Sequence, residues 1–416
     1  MRVLVAGAGI GGLTSALALQ QRGIDVRVFE SARELAPLGV GINLLPHAMA
    51  ELAELGLLEE IAALGVRTAE LCYFNAHGQL IWREPRGLDA GYPVPQISVH
   101  RGRLQLALFE VARRRLALGA LRTGCHLESF ANVSASARAS ASSVRAVFTD
   151  RASGAVFEEL ADLLVAADGI HSAVRRQLHP DEGLPRWGGN ILWRATSRAQ
   201  PFLTGRSMIM AGSRARKFVA YPIDAPGADG LCTINWIAEL DRSAFAPPAR
   251  EDWNKRGAIA DFLPAFEDWR FDWLDVPALI RSAEAVFEFP MVDRDPLARW
   301  THGRATLLGD AAHPMYPIGS NGASQAILDA RALADALADE RDVDAALERY
   351  ESARRPATAQ IVLSNRAHGP ECVLDMAEER APGGFARVDD VFAPGELAEI
   401  AARYKRVAGF APAGRR

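Results

Sequence analysis

The first thirty residues alternate two short apolar runs with a glycine-rich turn and a helical stretch. Val3–Ala6 lead into the turn Gly7–Gly12 (GAGIGG), the helical stretch continues to Arg22, and a second apolar run ends on Glu30. Strand, turn, helix, strand and acid follow one another in the order of a dinucleotide-binding βαβ unit. The pattern predicts an α/β fold with a Rossmann-like sheet and a bound adenine dinucleotide, either FAD or NAD.

The glycines of this turn have separate predicted roles. Gly7 permits the tight turn, Gly9 lets backbone N–H groups approach a pyrophosphate, and Gly12 lets the helix pack close to the strand. The N-terminus of the helix adds a partial positive charge. Glu30 can accept hydrogen bonds from ribose hydroxyls. The alternative at this point is a glycine turn with a purely structural role.

Length and composition narrow the class of protein. With 416 residues the chain has room for about two domains. A net charge of −4 argues against nucleic acid and anionic membranes as partners. The four cysteines are scattered without metal-ligand spacing, so we expect no metal site and reduced thiols in the cytoplasm. We expect neither a signal peptide nor a membrane span, because the chain starts in a strand and no apolar run reaches about 20 residues.

Two later buried strands also end in an acid. Leu160–Ala167 runs into Asp168, and Arg304–Leu308 runs into Gly309 and Asp310. In open parallel sheets ligands bind at the carboxyl ends of the strands, so these acids and the glycine turn should converge on one extended ligand. FAD fits that extent better than NAD. Because there is no second GxGxxG, NAD(P)H would bind without a Rossmann site of its own.

Between residues 190 and 237 apolar residues alternate, which is typical of a mostly antiparallel sheet with one buried face. We assign this stretch to a substrate-binding domain. Trp193, Met208, Tyr221 and Asn235 are candidate pocket residues, with ordinary core or rim positions as the alternative. The tryptophan-rich stretch Trp253–Trp273 is predicted to be helical, with its aromatic side chains in the core.

Three motifs together resemble the FAD-dependent aromatic hydroxylases of the p-hydroxybenzoate hydroxylase class, the group A flavoprotein monooxygenases. They are GxGxxG, DGxxSxxR at Asp168–Arg175 and GDAAHP at Gly309–Pro314. Shorter runs, such as EPRG at Glu84–Gly87 and PMVDRDPL at Pro290–Leu297, are most similar to a phenazine hydroxylase of pyocyanin biosynthesis. The resemblance covers about residues 1–365 and does not extend to the last fifty.

The resemblance implies roles for individual residues around FAD. Arg101 would reach the phosphate or ribityl region, Asp310 would bind the ribityl chain, and Pro314 would lie at the flavin face where oxygen reacts. Ser320-Asn321-Gly322 stands where the class usually has Gly-Gln-Gly, beside the isoalloxazine ring. Asp168 belongs to a motif associated with both FAD and NAD(P)H. The cofactor-binding residues predicted in this way are Gly7, Gly9, Gly11, Gly12, Glu30, Arg101, Asp168, Asp310, Asn321, Gly322 and Ala323.

The resemblance also implies an activity. With FAD bound and NADH or NADPH and O2 as co-substrates, the enzyme would hydroxylate an aromatic or N-heteroaromatic carboxylate or phenol, phenazine-like or smaller. The oxygen would come from a flavin C4a-hydroperoxide, with loss of CO2 where the substrate carries a ring carboxylate. No side chain is predicted to be the acid or base. A flavin reductase or dehydrogenase and a non-enzymatic flavin sensor are the alternatives.

The class further implies a domain arrangement, and a monomer or homodimer whose partner is a small aromatic molecule. The predicted regions are a discontinuous FAD-binding domain at 1–70, 98–180 and 285–365, a β-sheet substrate domain at 71–97 and 181–284, and a C-terminal helical tail at 366–416.

Overall fold

The computed structural model describes residues 1–37, 39–134, 143–245 and 255–411. The strands of these residues are numbered in chain order. They are β1 (Arg2–Ala6), β2 (Asp25–Phe29), β3 (Gly41–Leu44), β4 (Val66–Thr68), β5 (Glu70–Phe74), β6 (Leu80–Pro85), β7 (Gln96–His100), β8 (Leu121–Arg122), β9 (Cys125–Val133), β10 (Ser143–Asp150), β11 (Val156–Ala161), β12 (Leu163–Ala166), β13 (Arg186–Ala199), β14 (Ser207–Ser213), β15 (Arg216–Pro222), β16 (Cys232–Asp241), β17 (Arg270–Phe271), β18 (Leu274–Asp275), β19 (Phe287–Asp293), β20 (Thr301–His302) and β21 (Ala305–Leu307).

The α-helices of the described residues follow the same numbering. They are α1 (Ile10–Gln21), α2 (Pro46–Glu54), α3 (Leu58–Ala62), α4 (Arg101–Arg115), α5 (Ala173–Leu178), α6 (Val276–Arg281), α7 (Gly322–Asp339), α8 (Val343–Arg366), α9 (Cys372–Arg380) and α10 (Glu396–Ala408).

A six-stranded sheet in the order β20-β21-β12-β1-β2-β8 forms the first layer. The strands β1, β2, β12 and β21 run parallel. Their residues are mostly apolar because a parallel sheet is covered on both faces, here partly by α1, which packs against α7 and α4. Ala6 pairs with Ala166, which pairs with Leu307. The glycine turn, Asp168 and Gly309 therefore leave the sheet at the same edge.

A seven-stranded sheet in the order β19-β13-β16-β15-β14-β5-β6 forms the second layer and is called the large sheet below. Its pairs are antiparallel except for β14 with β5. Successive side chains point to opposite faces. The inner face carries Met208, Met210 and Tyr221 and packs on Tyr316, whereas the outer face carries Trp236. The predicted fold class, a Rossmann-like α/β domain with a mostly antiparallel substrate sheet and C-terminal helices, is confirmed.

The prediction of a helix over the tryptophan-rich stretch is wrong. Trp253 lies outside the described residues, and the stretch that follows forms two short 3-10 turns, Ile259–Asp261 and Leu263–Phe266, and the strands β17 and β18. Phe262, Phe266 and Trp269 are buried on the outer face of the large sheet. The aromatic residues of this stretch are spaced as in a helix, but they pack from irregular turns against the sheet.

The last described residues fold back onto the inner face of the large sheet. Helix α9 lies against β14, and α10 lies against α8. Buried Lys217 of β15 joins sheet and tail, because its Nζ lies 2.5 Å from Glu371 and 3.0 Å from Glu239. The C-terminal tail is thus part of the same packed unit as the sheet.

Candidate active site

The glycines of the turn differ in how much room there is for a side chain. At some of them the fold requires glycine, and at one it does not. A Cβ on Gly7 would lie 2.4 Å from the Ala167 carbonyl oxygen, and one on Gly12 would lie 2.0 Å from the Gly7 oxygen. A Cβ on Gly11 would meet Leu308 at 3.0 Å. A Cβ on Gly9, at the N-terminus of α1, would meet nothing within 4 Å. Open space in front of a helix N-terminus is where a pyrophosphate binds, so this turn fits FAD.

Glu30 lies beside the same turn, at the carboxyl end of β2. Its Oε2 accepts a hydrogen bond from the backbone N–H of Ala8 at 2.7 Å, and its Oε1 accepts one from Ala32 at 2.7 Å. Gln105, which sequence reasoning missed, donates from Nε2 to the Ala8 oxygen at 2.9 Å. The two backbone contacts fix the Glu30 carboxylate beside the turn, and its contact with a ribose stays a prediction.

Asp310 and Gly322 lie together at the next strand end. The Asp310 Oδ1 is 4.0 Å from where a Gly322 Cβ would be, and the structure gives its carboxylate no hydrogen bond to another described residue. Burial raises the pKa of Asp310, although its side chain is solvent-accessible, which places it within a cleft. His313 and Arg101 oppose this effect by lowering the pKa of Asp310, and Arg101 itself is exposed at the start of α4. Asp310 and Arg101 are both available to a ligand.

Arg175 fastens the Asp310 turn to the rest of the site. It is 1% exposed, and its Nη1 donates to the carbonyl oxygens of Ala311 at 3.0 Å and Ala312 at 2.9 Å. Its Nε donates to Glu182 at 2.9 Å. The Asp168 Oδ2 accepts from the Ala173 N–H at 2.8 Å at the start of α5. The DGxxSxxR motif therefore braces the turns, and a direct cofactor contact of the Asp168 side chain stays a prediction.

A buried charge network supports the GDAAHP turn from beneath. Asp329 of α7 is 0% exposed and lies 2.5 Å from His313 Nε2, 2.7 Å from Arg354 Nε and 3.1 Å from the Gly309 nitrogen. Burial alone would raise the pKa of Asp329, but His313 and Arg354 lower it to about 2. His313 is part of this support, and Pro314, also buried, directly follows it.

Asn321 does not turn its side chain to the predicted flavin position. It is 0% exposed, and its Nδ2 donates to the Tyr404 hydroxyl at 2.7 Å and to the Gly319 oxygen at 3.2 Å. The Asn321 side chain is thus bonded within the protein, and the predicted cofactor contacts of Asn321, Gly322 and Ala323 stay predictions. Sequence reasoning missed Tyr404 because it lies in the tail, more than eighty residues further along the chain.

The four predicted pocket residues divide between the two faces of the large sheet. Met208, Tyr221 and Asn235 lie on the inner face, and the Asn235 Oδ1 accepts the Gly41 N–H at 2.6 Å. Trp193 lies on the outer face, stacked on Phe262 with ring centroids 5.0 Å apart. The prediction for Trp193 is therefore wrong. Its neighbour Arg194 points inward and donates from Nη2 to the Gly41 oxygen at 3.0 Å.

A small cavity of about 20 Å³ lies between the inner face, the Gly319–Ser320 turn and α10. This space is enough for about one water molecule and is well below the usual size of a small-molecule site. Its walls combine apolar side chains with a buried polar group at one end. The lining side chains are Leu45, Leu71, Tyr73, Glu84, Arg86, Gln96, Met208, Met210, Ser320, Pro370, Ala401, Tyr404, Lys405 and Phe410.

The Asp310→Ala variant tests the cofactor side of the site. We expect its dissociation constant for FAD to rise about 10- to 100-fold, because hydrogen bonds from ribityl hydroxyls to a charged acceptor are lost. The measurement is a titration of the apoprotein with FAD, followed by flavin fluorescence. Asp335→Ala, whose side chain is 31% exposed and pairs with Arg22 and Arg331, is the control that should bind FAD normally. Equal affinity of both variants would contradict the assignment.

In the described part of the chain no cluster of three or more His, Cys, Asp or Glu side chains is arranged to hold a metal ion. A search of these residues also finds no helix long and apolar enough to cross a membrane.

Comparisons with known proteins show the family of this chain. Residues 1–190 and 282–365 match the family model of the FAD binding domain. The chain is 49% identical to the phenazine 1,6-dicarboxylic acid hydroxylase PhzS of Lysobacter antibioticus, covering 88% of this chain and 89% of that protein. It is 34% identical to the aurachin C monooxygenase/isomerase of Stigmatella aurantiaca, covering 85% of each. HpxO of Klebsiella pneumoniae, solved with FAD and uric acid, superposes with a TM-score of 0.73 at 23% identity, covering 98% and 93% of the two chains, and shares the fold.

Proposed function

Because this chain belongs to the family of the FAD binding domain, and within it to the flavin-dependent aromatic hydroxylases, we propose that its substrate is a planar N-heteroaromatic carboxylate of the phenazine class. The activity is that of an FAD-dependent aromatic-ring monooxygenase that consumes NAD(P)H and O2. The observation that carries the substrate proposal is the 49% identity to a hydroxylase of phenazine 1,6-dicarboxylic acid, and a buried arginine beside the inner sheet face, Arg86, supports it.

The residues around the cofactor site have two roles: some would contact FAD, and others hold the loops that carry those residues. We propose that the open N-terminus at Gly9 receives the FAD pyrophosphate, Glu30 the ribose and Asp310 the ribityl chain. The N-terminus of α7 at Gly322 would lie at the flavin ring, where its dipole favours negative charge. When bound and reduced, the flavin supplies activated oxygen to the substrate. Arg175 and Asp329 keep these loops in place.

The side chains between the inner face of the large sheet and the Ser320 turn are of the kinds that bind a flat apolar ring with a charged substituent. Met208, Met210 and Leu71 line the inner face of the large sheet, and methionine adapts to flat surfaces. Arg86 is 9% exposed, and its Nε has no hydrogen-bond partner among the described residues. An arginine N–H is a strong donor to a carboxylate. The name of the relative at 49% identity, a hydroxylase of phenazine 1,6-dicarboxylic acid, supports this substrate class.

The charged side chains around the cavity decide whether the protein offers a base that could remove a proton from the substrate. Glu84 is its carboxylate, but it is paired with Arg86 at 3.0 Å and with Lys405, so it is poorly placed as a base. We propose that a ring carboxylate leaves as CO2 from the carbon that is hydroxylated. One oxygen atom of O2 then enters the ring, the other leaves as water, and NAD(P)H supplies two electrons. When CO2 leaves, the electron pair of the broken C–C bond restores the aromatic ring. In ordinary hydroxylation the broken C–H bond supplies that pair, as a proton leaves.

A substrate panel tests this proposal. Phenazine-1-carboxylate, phenazine-1,6-dicarboxylate and salicylate are each added to the FAD-loaded enzyme with NADH or NADPH. We expect the phenazines to accelerate NAD(P)H oxidation and O2 uptake several-fold more than salicylate, with a product lighter by one CO unit. A product heavier by one oxygen atom would retain the hydroxylase but contradict decarboxylation. Equal turnover without oxygen would instead favour a reductase.

We further propose a cytoplasmic location. The supporting observation is that all four cysteines, Cys72, Cys125, Cys232 and Cys372, are free thiols. The domain boundaries given from the sequence also stay proposals, with residues 71–97 and 181–284 assigned to the substrate and the three outer segments to FAD.

A further inference from the structure

We infer that Tyr404, in the C-terminal tail, is a positioning residue for the flavin. Its hydroxyl group fixes residues 319–321, which lead into α7 and are here called the α7 turn. The inference rests on the proposed function only in placing the N-terminus of α7 at the flavin ring. It gives the tail a task that the sequence left open, because the tail then sets how tightly FAD binds and how readily it is reduced.

The α7 turn has a backbone conformation that needs support. Gly319 has φ +67° and Ser320 has φ +57°, so two successive residues lie in the left-handed region. Glycine adopts this region freely, but a serine is strained there. Strained residues of this kind persist only where the surrounding structure fixes them, and they cluster where ligands are held. Contacts from outside the turn are therefore required to keep Ser320 in place.

The Tyr404 hydroxyl supplies such contacts as donor and acceptor at once. It accepts a hydrogen bond from Asn321 Nδ2 at 2.7 Å and donates one to Asn365 Oδ1 at 2.9 Å. Asn365 Nδ2 in turn donates to the carbonyl oxygens of Tyr316 and Ile318, both at 3.1 Å. Tyr404 is 6% exposed, so water competes little for these bonds. One hydroxyl group thus joins the segment before the α7 turn to the last residue of the turn.

Packing around the Tyr404 ring allows no second arrangement of the turn. A Cβ on Gly319 would lie 2.0 Å from the Tyr404 hydroxyl oxygen, and one on Gly369 would lie 2.8 Å from the ring. The helix that carries Tyr404 has a further contact with α7, because Gln325 Nε2 donates to the Ala408 oxygen at 3.1 Å. The tail and the first turn of α7 therefore form one packed unit.

The electrostatics of α7 connect this packed unit to the flavin. The N-terminus of a helix carries a partial positive charge and unpaired N–H groups, which favour negative charge within the first turn. A reduced flavin is more negative than an oxidised one, so a helix N-terminus at the ring stabilises the reduced form more. Because this effect falls off over a short distance, a displaced α7 turn changes both the affinity for FAD and its reduction potential.

Tyr404→Phe removes the hydroxyl group and keeps the ring. We expect FAD to bind about tenfold more weakly, and reduced FAD to lose a further factor of about ten, which lowers the reduction potential by about 30 mV. The measurements are titration of the apoprotein with FAD and equilibration of the loaded enzyme with reference dyes. Tyr92→Phe is the matched control, because the Tyr92 hydroxyl donates to the Phe410 oxygen of the same tail. It should change neither quantity.

Two further variants distinguish positioning of the turn from a general loss of stability. Asn321→Ala removes the other partner, so it should weaken FAD binding as Tyr404→Phe does, and the double variant should be no weaker than either. Ser320→Gly removes the strain, so in the Tyr404→Phe protein it should restore about threefold of the lost affinity. Additive effects or the absence of rescue would contradict the inference. If Tyr404→Phe does not fold, Asn321→Ala decides, with the same expected shifts.

The outcomes separate this inference from the proposed reaction. If the wild type hydroxylates phenazines but Tyr404→Phe binds FAD as tightly and at an unchanged potential, the positioning role is refuted and the proposed function stands. If no phenazine is turned over but affinity and potential shift as described, the proposed function fails and the positioning role stands. Equal shifts in Tyr404→Phe and Tyr92→Phe would assign the effect to docking of the whole tail and would also refute the inference.

Discussion

The Gly9→Ala variant is expected to keep the thermal stability of the wild type and to bind FAD about 30-fold more weakly. The added methyl group meets no protein atom within 4 Å, and the backbone at Gly9 has φ −71°, which alanine adopts readily. The methyl group would instead occupy the space that a pyrophosphate needs at the start of α1. The measurements are thermal unfolding of the apoprotein and titration with FAD.

Two other glycines serve as controls for this prediction. Gly383→Ala also adds a methyl group where nothing lies within 4 Å, but in the C-terminal tail, and should change neither quantity. Gly12→Ala places a Cβ 2.0 Å from the Gly7 oxygen and should lower the stability of the apoprotein itself. Wild-type FAD affinity in the Gly9 variant would show that the turn does not hold the pyrophosphate.

The Asp329→Asn variant is expected to lose about 3–5 kcal/mol of the free energy of unfolding. The change leaves Arg354 and the Gly309 nitrogen facing an amide in place of a fully buried carboxylate. Because Asp310 follows Gly309, FAD should also bind more weakly. Denaturant unfolding measures the effect. Asp339→Asn, at the exposed end of the same helix, breaks an ion pair with Arg349 and should cost less than about 1 kcal/mol.

The same variant carries a pH signature. The folded-state pKa of Asp329, about 2, lies below its ordinary value of 3.8, so its charge stabilises the fold fully above about pH 4. That stabilisation is lost as the pH falls through 2. The difference in stability between wild type and Asp329→Asn should therefore shrink on acidification below pH 4. A difference independent of pH would assign the effect to geometry alone.

The sequence predicted the parts of the site that depend on local backbone conformation. The glycine turn, Glu30 and Asp310 follow from strand ends and turn chemistry, and strand pairing brings those ends together. Trp193 was misplaced because one position along a strand exchanges the two faces, so its neighbour Arg194 took the inner position. The choice between them depends on which layer covers each face, and both faces here are covered.

Contacts between distant segments could not be predicted. Asn321 bonds to Tyr404, which lies 83 residues further along the chain. Glu84 pairs with Lys405, which lies more than three hundred residues further along. Neither α10 residue carries a motif. In the sequence the run Glu84–Gly87 shows only a resemblance to a hydroxylase. The burial of Arg86 and its charged neighbours depend on contacts of the large sheet and the tail, which the sequence does not reveal.

We propose that this enzyme transfers one atom of molecular oxygen to a phenazine carboxylate. The direct measurement is a reaction under oxygen gas enriched in the heavy isotope, with NAD(P)H and phenazine-1,6-dicarboxylate, followed by mass analysis of the product. We predict one heavy oxygen atom in each new hydroxyl group and one NAD(P)H consumed per hydroxyl formed. A hydroxyl oxygen that comes from water, or NAD(P)H consumption with no oxygenated product, would contradict the claim.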